Sequence, residues 1–317
     1  MTRPDVYRTI SLSVVWMVAE VLSSRARPLT EHEVFPTVIA ENSSAGTIAL
    51  SIDRSITLTL QESSAFASKF RVFTHDQDAT EGKEIQLTEF GGKVYVDQST
   101  QAVLLISYEN GVRVTGLLGG GVRIAFKENL KPRNDGRIAH NLFTVEGDYS
   151  LEAFYRDNRK VNVPKKVKVN ARSEAPSREP MVATAEAVVV VSREYSASFS
   201  NSTGHKYRHL IDYLRVLFQA ANLILRSTDT DILDVQLLIV GVVILTEYTE
   251  ILSKNDELGL VETNTPEALL SFMASNRHPF READVVFYMS KHHYALTYQG
   301  GHRKVKGKSL ISTCDIS

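Results

Sequence analysis

The sequence has little cysteine, little tryptophan and almost no net charge. Its 317 residues include one Cys and one Trp, and 36 Lys and Arg residues nearly balance 37 Asp and Glu residues, for a formal net charge of -1. A single cysteine excludes a disulfide within this chain. The balanced charge gives no general reason to expect nucleic acid or an acidic membrane as a partner. The 43% hydrophobic content indicates a globular protein, and the length suggests about two domains.

The amino-terminal apolar run is too short to span a bilayer comfortably. A basic leader, MTRPDVYR, precedes the run TISLSVVWMVAEVL, and the small and polar SSRA follows it. This order of segments is typical of a secretory signal peptide. We therefore predict a signal peptide over residues 1–26 and a secreted, extracellular protein. An amphipathic amino-terminal helix, interrupted by Glu20, is the alternative.

Three strand-length apolar runs organise the second half of the chain. They are AVVVV (187–191), VQLLIVGVVIL (235–245) and DVVFYM (284–289). Runs that are apolar at every residue suit strands covered on both faces, as in a parallel sheet flanked by helices. Amphipathic helices are predicted between them, over 206–225 and from Thr265 to Asn276. The first helix is predicted to turn four polar side chains to water: His209, Asp212, Arg215 and Gln219.

Residues 34–145 change to short β segments with turn signals between them. ITLTL (56–60) alternates apolar and polar residues, and Asn110-Gly111 separates AVLLISY from VRVTGLL, which is a strong hairpin signal. The glycine cluster over 116–121 precedes another strand, VRIAF, where a phosphate-binding loop would need a helix. We predict a turn there, and a β-rich, antiparallel domain over residues 27–146.

Residues 147–182 are basic and contain three prolines, with almost no apolar periodicity. A protease-accessible linker is predicted. Arg156 and Arg159 have the spacing that furin-like processing enzymes accept. A solvated basic linker without a processing role is the alternative.

Several strings carry a family resemblance. They are VFPTVIAENSSAGTIALSIDRSITLTLQESS, NGVRVTGLLGGGVRI and HNLFTVE in the first half, and EAVVVVSREY, RHLIDYLRVLFQAANLIL, VQLLIVGV and ADVVFYMS in the second. Together they resemble reprolysin-type (adamalysin-like) zinc metalloproteases, most nearly the tick salivary subgroup. The resemblance implies a β-rich propeptide (27–146) followed by the amino-terminal part of a metzincin-like catalytic domain (183–317). The implied fold class is α/β, mostly parallel sheet with flanking helices.

The family's catalytic signature does not occur in these residues. HExxHxxGxxH supplies three histidine ligands for zinc and a glutamate that activates water, and the 317 residues contain no such string. The resemblance therefore implies an incomplete form of a secreted metalloendopeptidase, inactive alone, whose full-length relatives bind zinc and cleave proteins or peptides. A non-catalytic secreted binding or inhibitory protein is the alternative.

Other histidines have spacings that a metal site could use. His205 and His209 have the i, i+4 spacing that places two imidazoles on one helix face, but they lack a glutamate base and a third ligand. His292 and His293 are adjacent, and so point to opposite faces of an extended segment. His302 lies in the basic, glycine-rich QGGHRKVKGK. Ordinary exposed histidines are the prediction for all of them.

A structural calcium ion is also implied by the resemblance. Family members hold calcium with acids at positions that match Glu186 and Asp284, and oxygen ligands suit this hard cation. Two sequons, at Asn42 and Asn201, become glycosylation sites if the chain is secreted. Cys314 is the only thiol, so in a secreted protein it predicts either an intermolecular disulfide or a disulfide partner in a missing part of the protein. A buried free cysteine is the alternative.

Overall fold

The computed structural model describes most of residues 28–305. The described residues are 28–76, 79–127, 130–145, 181–199, 207–227, 233–246, 254–255, 260–261, 265–290, 294–298 and 301–305. The predicted signal peptide and residues 147–180 of the predicted linker lie outside them, whereas residues 181 and 182 begin a strand and are not a linker.

Strands dominate the described residues. The strands are β1 (Pro28–Val34), β2 (Thr37–Asn42), β3 (Thr47–Ser51), β4 (Thr57–Glu62), β5 (Phe66–Asp76), β6 (Ala79–Gln86), β7 (Lys93–Asp97), β8 (Ala102–Ser107), β9 (Arg113–Gly119), β10 (Val122–Phe126), β11 (His140–Val145), β12 (Met181–Val191), β13 (Leu233–Leu245), β14 (Lys254–Asn255), β15 (Leu260–Val261), β16 (Val285–Met289), β17 (Tyr294–Tyr298) and β18 (Gly301–Val305). The helices are α1 (Arg193–Ala197), α2 (Arg208–Ser227), α3 (Thr265–Ser275) and α4 (Arg277–Phe280), with a 3-10 helix at Leu87–Phe90. Within the described ranges, no helix combines the length and hydropathy needed to cross a membrane.

Nine strands form an antiparallel sheet, here called the curled sheet. Their order is β1-β11-β10-β9-β8-β7-β4-β3-β2. β1 and β2 lie at opposite ends of this order, although only Phe35 and Pro36 separate them in the chain. The sheet therefore has to curl until its end strands approach each other at that link. The guanidinium carbon of Arg133 lies 3.5 Å from the Phe35 ring centroid and covers the link.

The inner face of the curled sheet is an apolar core. The strands alternate as the ITLTL pattern predicts: in β4, Leu58 and Leu60 are buried while Thr57 and Thr59 are exposed. The hairpin at Asn110-Gly111 is confirmed, since β8 pairs with β9 and both turn residues have positive φ, 57° and 121°. The glycine cluster also forms a turn, between β9 and β10.

A buried histidine ties β11 to the start of β9. His140 is fully buried, and its Nε2 accepts a hydrogen bond from the Val114 N–H at 2.9 Å. The other ring nitrogen, Nδ1, must then carry the proton, and it donates to the Ile138 carbonyl at 2.9 Å. Burial lowers the pKa of His140 to about 4. The imidazole is therefore a neutral bridge between backbone groups at neutral pH.

Five strands form a second, mixed sheet in the order β16-β12-β13-β5-β6. β12 pairs in parallel with β13 and β16, as the three apolar runs predict. β13 pairs in parallel with β5, and β5 pairs antiparallel with β6. Residues 66–86, which the sequence assigns to the amino-terminal domain, thus complete the sheet of the carboxyl-terminal region.

The two sheets and the helices stack in four layers. Helix α2 lies between the mixed sheet and the outer face of β7 and β8, where Val94, Val103 and Leu214 share one apolar cluster. The opposite face of the mixed sheet carries Val188 and Val190 and is covered by Phe272 of α3 and Phe280 of α4. This arrangement explains why the central strands are apolar at every position.

The predicted fold class, a mostly parallel metzincin-like α/β half domain behind a β-rich propeptide, is wrong. The structure is 51% strand against 22% helix, and its largest sheet is antiparallel and curled. The apolar runs form parallel strands, but their sheet continues into β5 and β6 and shares a core with the curled sheet. Periodicity shows that a run is covered on both faces. It does not show which distant part of the chain covers it.

Candidate functional site

Glu186 and Asp284 are neighbours, as the calcium prediction requires. Asp284, however, is hydrogen-bonded to the backbone of Glu186. Asp284 Oδ2 accepts from the Glu186 N–H at 3.0 Å, and the Asp284 N–H donates to the Glu186 carbonyl at 2.8 Å. Glu186 lies inside β12, opposite Leu238 of β13, rather than at the mouth of the strand. The Asp284 carboxylate thus holds the start of β16 against β12.

The described residues bring few metal-ligating side chains together. No group of three or more His, Cys, Asp or Glu side chains occurs among them. Glu186 and Asp284 are two carboxylates, whereas Ca²⁺ takes about 6–8 oxygen ligands, which also include carbonyl and water oxygens, and catalytic Zn²⁺ takes about three protein ligands. His209 lies on the first turn of α2, whereas His205, His292 and His293 are outside the described residues. His302 is in β18, in a hairpin with β17.

Of the other predicted sites, one lies among the described residues and the rest lie outside them. Asn42 is exposed at the turn between β2 and β3, where its Oδ1 accepts from Ser44 Oγ at 2.8 Å and from the Ala45 N–H at 3.2 Å. A sequon needs a surface position of this kind. Asn201, Arg156, Arg159 and Cys314 lie outside the described residues.

The structure instead reveals a polar face on α2, which we call the α2 polar face. It comprises Arg208, Asp212, Arg215 and Gln219, spaced by four, three and four residues, so that all lie on one side of the helix. The prediction that Asp212, Arg215 and Gln219 face water is wrong. Arg215 is 3% and Gln219 2% exposed, because this side of α2 packs against the amino-terminal region.

Arg215 binds that region through two backbone carbonyls. Its Nη1 donates to Gly91 O and its Nη2 to Gly92 O, each at 3.0 Å, and Nη1 also donates to Asp212 Oδ1 at 3.1 Å. Gly91 and Gly92 have φ of 67° and 63°, a left-handed backbone that glycine adopts without strain. The two glycines end the 3-10 helix and present successive carbonyls to one guanidinium.

Arg208 makes a second connection, at the amino-terminal end of the same face. Its guanidinium donates to Glu109, in the turn between β8 and β9, and its Nε lies 3.9 Å from Asp212 Oδ2. The hydrogen bond from Arg208 lowers the pKa of Glu109. Asp212 lies between the two arginines, yet burial outweighs their attraction and raises its pKa to about 6. Burial also lowers the pKa of Arg215.

Gln219 and Asn222 continue the contacts towards the carboxyl end of α2. Gln219 Nε2 donates to Ser63 Oγ at 3.0 Å, in the link between β4 and β5. Asn222 makes a pair of bonds to one residue of β13, donating to Leu237 O at 2.9 Å and accepting from Leu237 N–H at 2.8 Å. The Asn222 side chain therefore forms with Leu237 the pair of hydrogen bonds that the backbone of a neighbouring strand would form.

The arrangement is suited to holding two regions together. The α2 polar face comprises two cations, a carboxylate and an amide, and each of them bonds either to the amino-terminal region or to another member of the face. Comparison of the chain with family models and with curated proteins finds no match. No local signal in the sequence points to this site, because Arg208, Asp212, Arg215 and Gln219 form the regular polar stripe that is also typical of a solvated helix face.

Proposed function

We propose that the chain is the prosegment-bearing part of a secreted, reprolysin-like metalloendopeptidase. The short strings that resemble reprolysins support the family. The basic leader and the short apolar run support secretion. It assigns residues 27–146 the role of a prosegment that folds together with residues 183–317. It does not depend on a metzincin-like architecture, which the structure contradicts.

The observation that carries the proposal is the buried α2 polar face. Among the described residues, the charged side of this helix is covered by the amino-terminal region, and the helix depends on that region for its hydrogen bonds. Arg215 has its two carbonyl partners at Gly91 and Gly92, and Arg208 has its carboxylate partner at Glu109. Such dependence is what a prosegment that supports folding requires.

Peptide hydrolysis is not assigned to this chain alone. The printed residues contain no HExxHxxGxxH, and the zinc of the full-length family enzyme enters only through the resemblance. The same observation favours a second candidate, a non-catalytic secreted binding or inhibitory protein. In that case residues 27–146 would be a permanent part of the fold.

Expression in a secreting cell tests the proposal. We expect release into the medium, loss of residues 1–26, a mobility shift on glycosidase treatment from glycans at Asn42 or Asn201, and cleavage near Arg156 or Arg159. The purified chain should show no stoichiometric zinc and no chelator-sensitive cleavage of casein. Retention inside the cell without a glycan would contradict secretion.

The transcript that follows the codon of Ser317 distinguishes the two candidates. An open frame that encodes HExxHxxGxxH supports the protease precursor. A stop codon in every transcript supports the non-catalytic protein.

A further inference from the structure

The mixed sheet is completed by a hairpin from the other end of the chain. β5 and β6 (66–86) add to the free side of β13, and parallel pairing runs from Gly241, opposite Arg71, to Leu245, opposite His75. The contact is reinforced at both ends, where Ile239 N–H donates to Ala65 O at 2.7 Å and Thr246 N–H to His75 O at 3.0 Å.

β5 is buried on both faces of the sheet. Phe66, Phe70 and Val72 enter the apolar cluster beneath α2. On the opposite face, Phe73 joins the cluster under α3 and α4, and the His75 ring meets Phe272 edge-on with 4.9 Å between ring centroids. β5 is therefore an interior strand of the carboxyl-terminal region's sheet, although its sequence lies in the amino-terminal region.

Phe73 shows how closely the hairpin fits. It pairs with Gly82 of β6 and Val243 of β13. A Cβ on Gly82 would lie 2.4 Å from Phe73 Cε1, and one on Gly241 would lie 3.7 Å from Phe73 Cε2. The Phe73 ring thus lies against Gly82 and Gly241, which belong to the two strands that flank β5. A larger side chain at Gly82 would displace the ring.

The hairpin also covers the apolar edge of β13 and gives the sheet a charged edge strand. Without it, β13 would present LDVQLLIVGVVIL as a long apolar edge, which is a template for pairing with other chains. With it, the last strand is β6, where Glu81, Lys83 and Glu84 are exposed. Charged side chains on an edge strand oppose further pairing.

We propose that the β5–β6 hairpin is a donated element that binds the edge of β13 as a partner, so that cutting the 146–180 segment leaves the two regions joined as a non-covalent 1:1 complex. The proposal concerns the regulation of the prosegment inferred above. Processing at the linker is then insufficient for release, which requires withdrawal of β5 from the sheet. The partner of the β13 edge is a two-stranded ribbon with Phe at position 73 and Gly at position 82.

The test uses the full chain with a site-specific protease sequence placed within residues 146–180. After complete cleavage, we expect both fragments to sediment together as one 1:1 species at micromolar concentration. Phe73→Ala and Gly82→Val should each weaken the association about 100-fold or more, the scale expected when a buried aromatic side chain is truncated or displaced. Lys83→Ala, on the exposed side of the same hairpin, is the matched control and should leave it unchanged.

Hydrogen exchange on the cut, unsubstituted chain decides the matter even if the hairpin variants do not fold. We expect the amides of Val242 to Leu245 to stay protected after the cut. Separation of the fragments without denaturant, or rapid exchange at these amides, would overturn strand donation. Because the cut is engineered, neither result depends on secretion or natural processing, so failure here and failure of the proposed function are told apart.

Discussion

The curled sheet and the mixed sheet are built from contacts of opposite kinds. In the curled sheet most strands pair with the next strand in sequence, as β7 to β11 do through successive hairpins and one longer connection. In the mixed sheet each parallel pair joins distant segments, and β5 meets β13 across more than 160 residues. Local pairing forms early and at low entropic cost, whereas non-local pairing needs its partners already in place. We therefore expect the curled sheet to form before the mixed sheet assembles against it.

Arg215→Ala should destabilise the contact between α2 and the amino-terminal region more than any other substitution considered below. The substitution leaves the carbonyls of Gly91 and Gly92 and the carboxylate of Asp212 without their buried partner. We expect the free energy of unfolding to fall by about 3–5 kcal/mol, as for other broken buried ion pairs. Urea denaturation measures the change.

Arg226→Ala on the same helix is the control for Arg215→Ala. Its side chain is 32% exposed, and its Nε lies 3.9 Å from Asp234 Oδ2. A loss of at most about 1 kcal/mol is expected for such a pair. Equal effects of the two substitutions would show that the α2 polar face does not join the regions.

His140→Phe tests the stability of the curled sheet. It keeps a ring in the core but leaves Val114 N–H and Ile138 C=O without a partner, at about 1–3 kcal/mol for each group. Because the folded-state pKa is about 4 against an ordinary 6.5, the unfolded state takes up a proton first as the pH falls. Stability from His140 is therefore full above pH 6.5 and lost towards pH 4.

The difference in unfolding free energy between the unsubstituted chain and His140→Phe should shrink over that pH range. A difference that stays constant between pH 7 and pH 4 would argue against the neutral bridge.

Asp212→Asn should show a smaller effect with the opposite sign, at the interface between the sheets. Its folded-state pKa is raised from 3.8 to about 6, so the folded state takes up a proton first. Its contribution to stability is full below pH 3.8 and is lost as the pH rises through 6. Relative to Asp212→Asn, the unsubstituted chain should lose stability between pH 4 and pH 6.5.

Asp135→Asn supplies the reference for the Asp212 experiment. The hydrogen bond from Arg137 lowers the pKa of Asp135, so its contribution is lost as the pH falls and the two aspartates should give slopes of opposite sign. Parallel slopes would contradict the burial of Asp212.

Sequence periodicity predicted the elements better than their assembly. It found the three parallel strands, the Asn110-Gly111 hairpin and the apolar side of α2, because each depends on residues close together in the chain. It missed β5, since FASKFRVFTHD mixes basic and apolar residues and its partner β13 is distant. The missing partner also led to the incorrect fold class.

The candidate site was missed for a related reason. Charged residues on a helix usually face water, and Arg215 can be buried because the carbonyls of Gly91 and Gly92, together with the Asp212 carboxylate, accept its hydrogen bonds. Nothing local to α2 reveals those carbonyls. Glu186 and Asp284, in contrast, were predicted to be neighbours and are so, but the Asp284 carboxylate is engaged by backbone.

We expect the curled sheet and the mixed sheet to unfold as one cooperative structure, and calorimetry of the full chain can show whether they do. Leu104 is fully buried and lies in the core of the curled sheet alone, so Leu104→Ala destabilises that sheet first. We predict a single transition, with equal calorimetric and van't Hoff enthalpies, that moves as a whole by about 5–10 °C in the variant. Two transitions, of which Leu104→Ala moves only one, would contradict the claim.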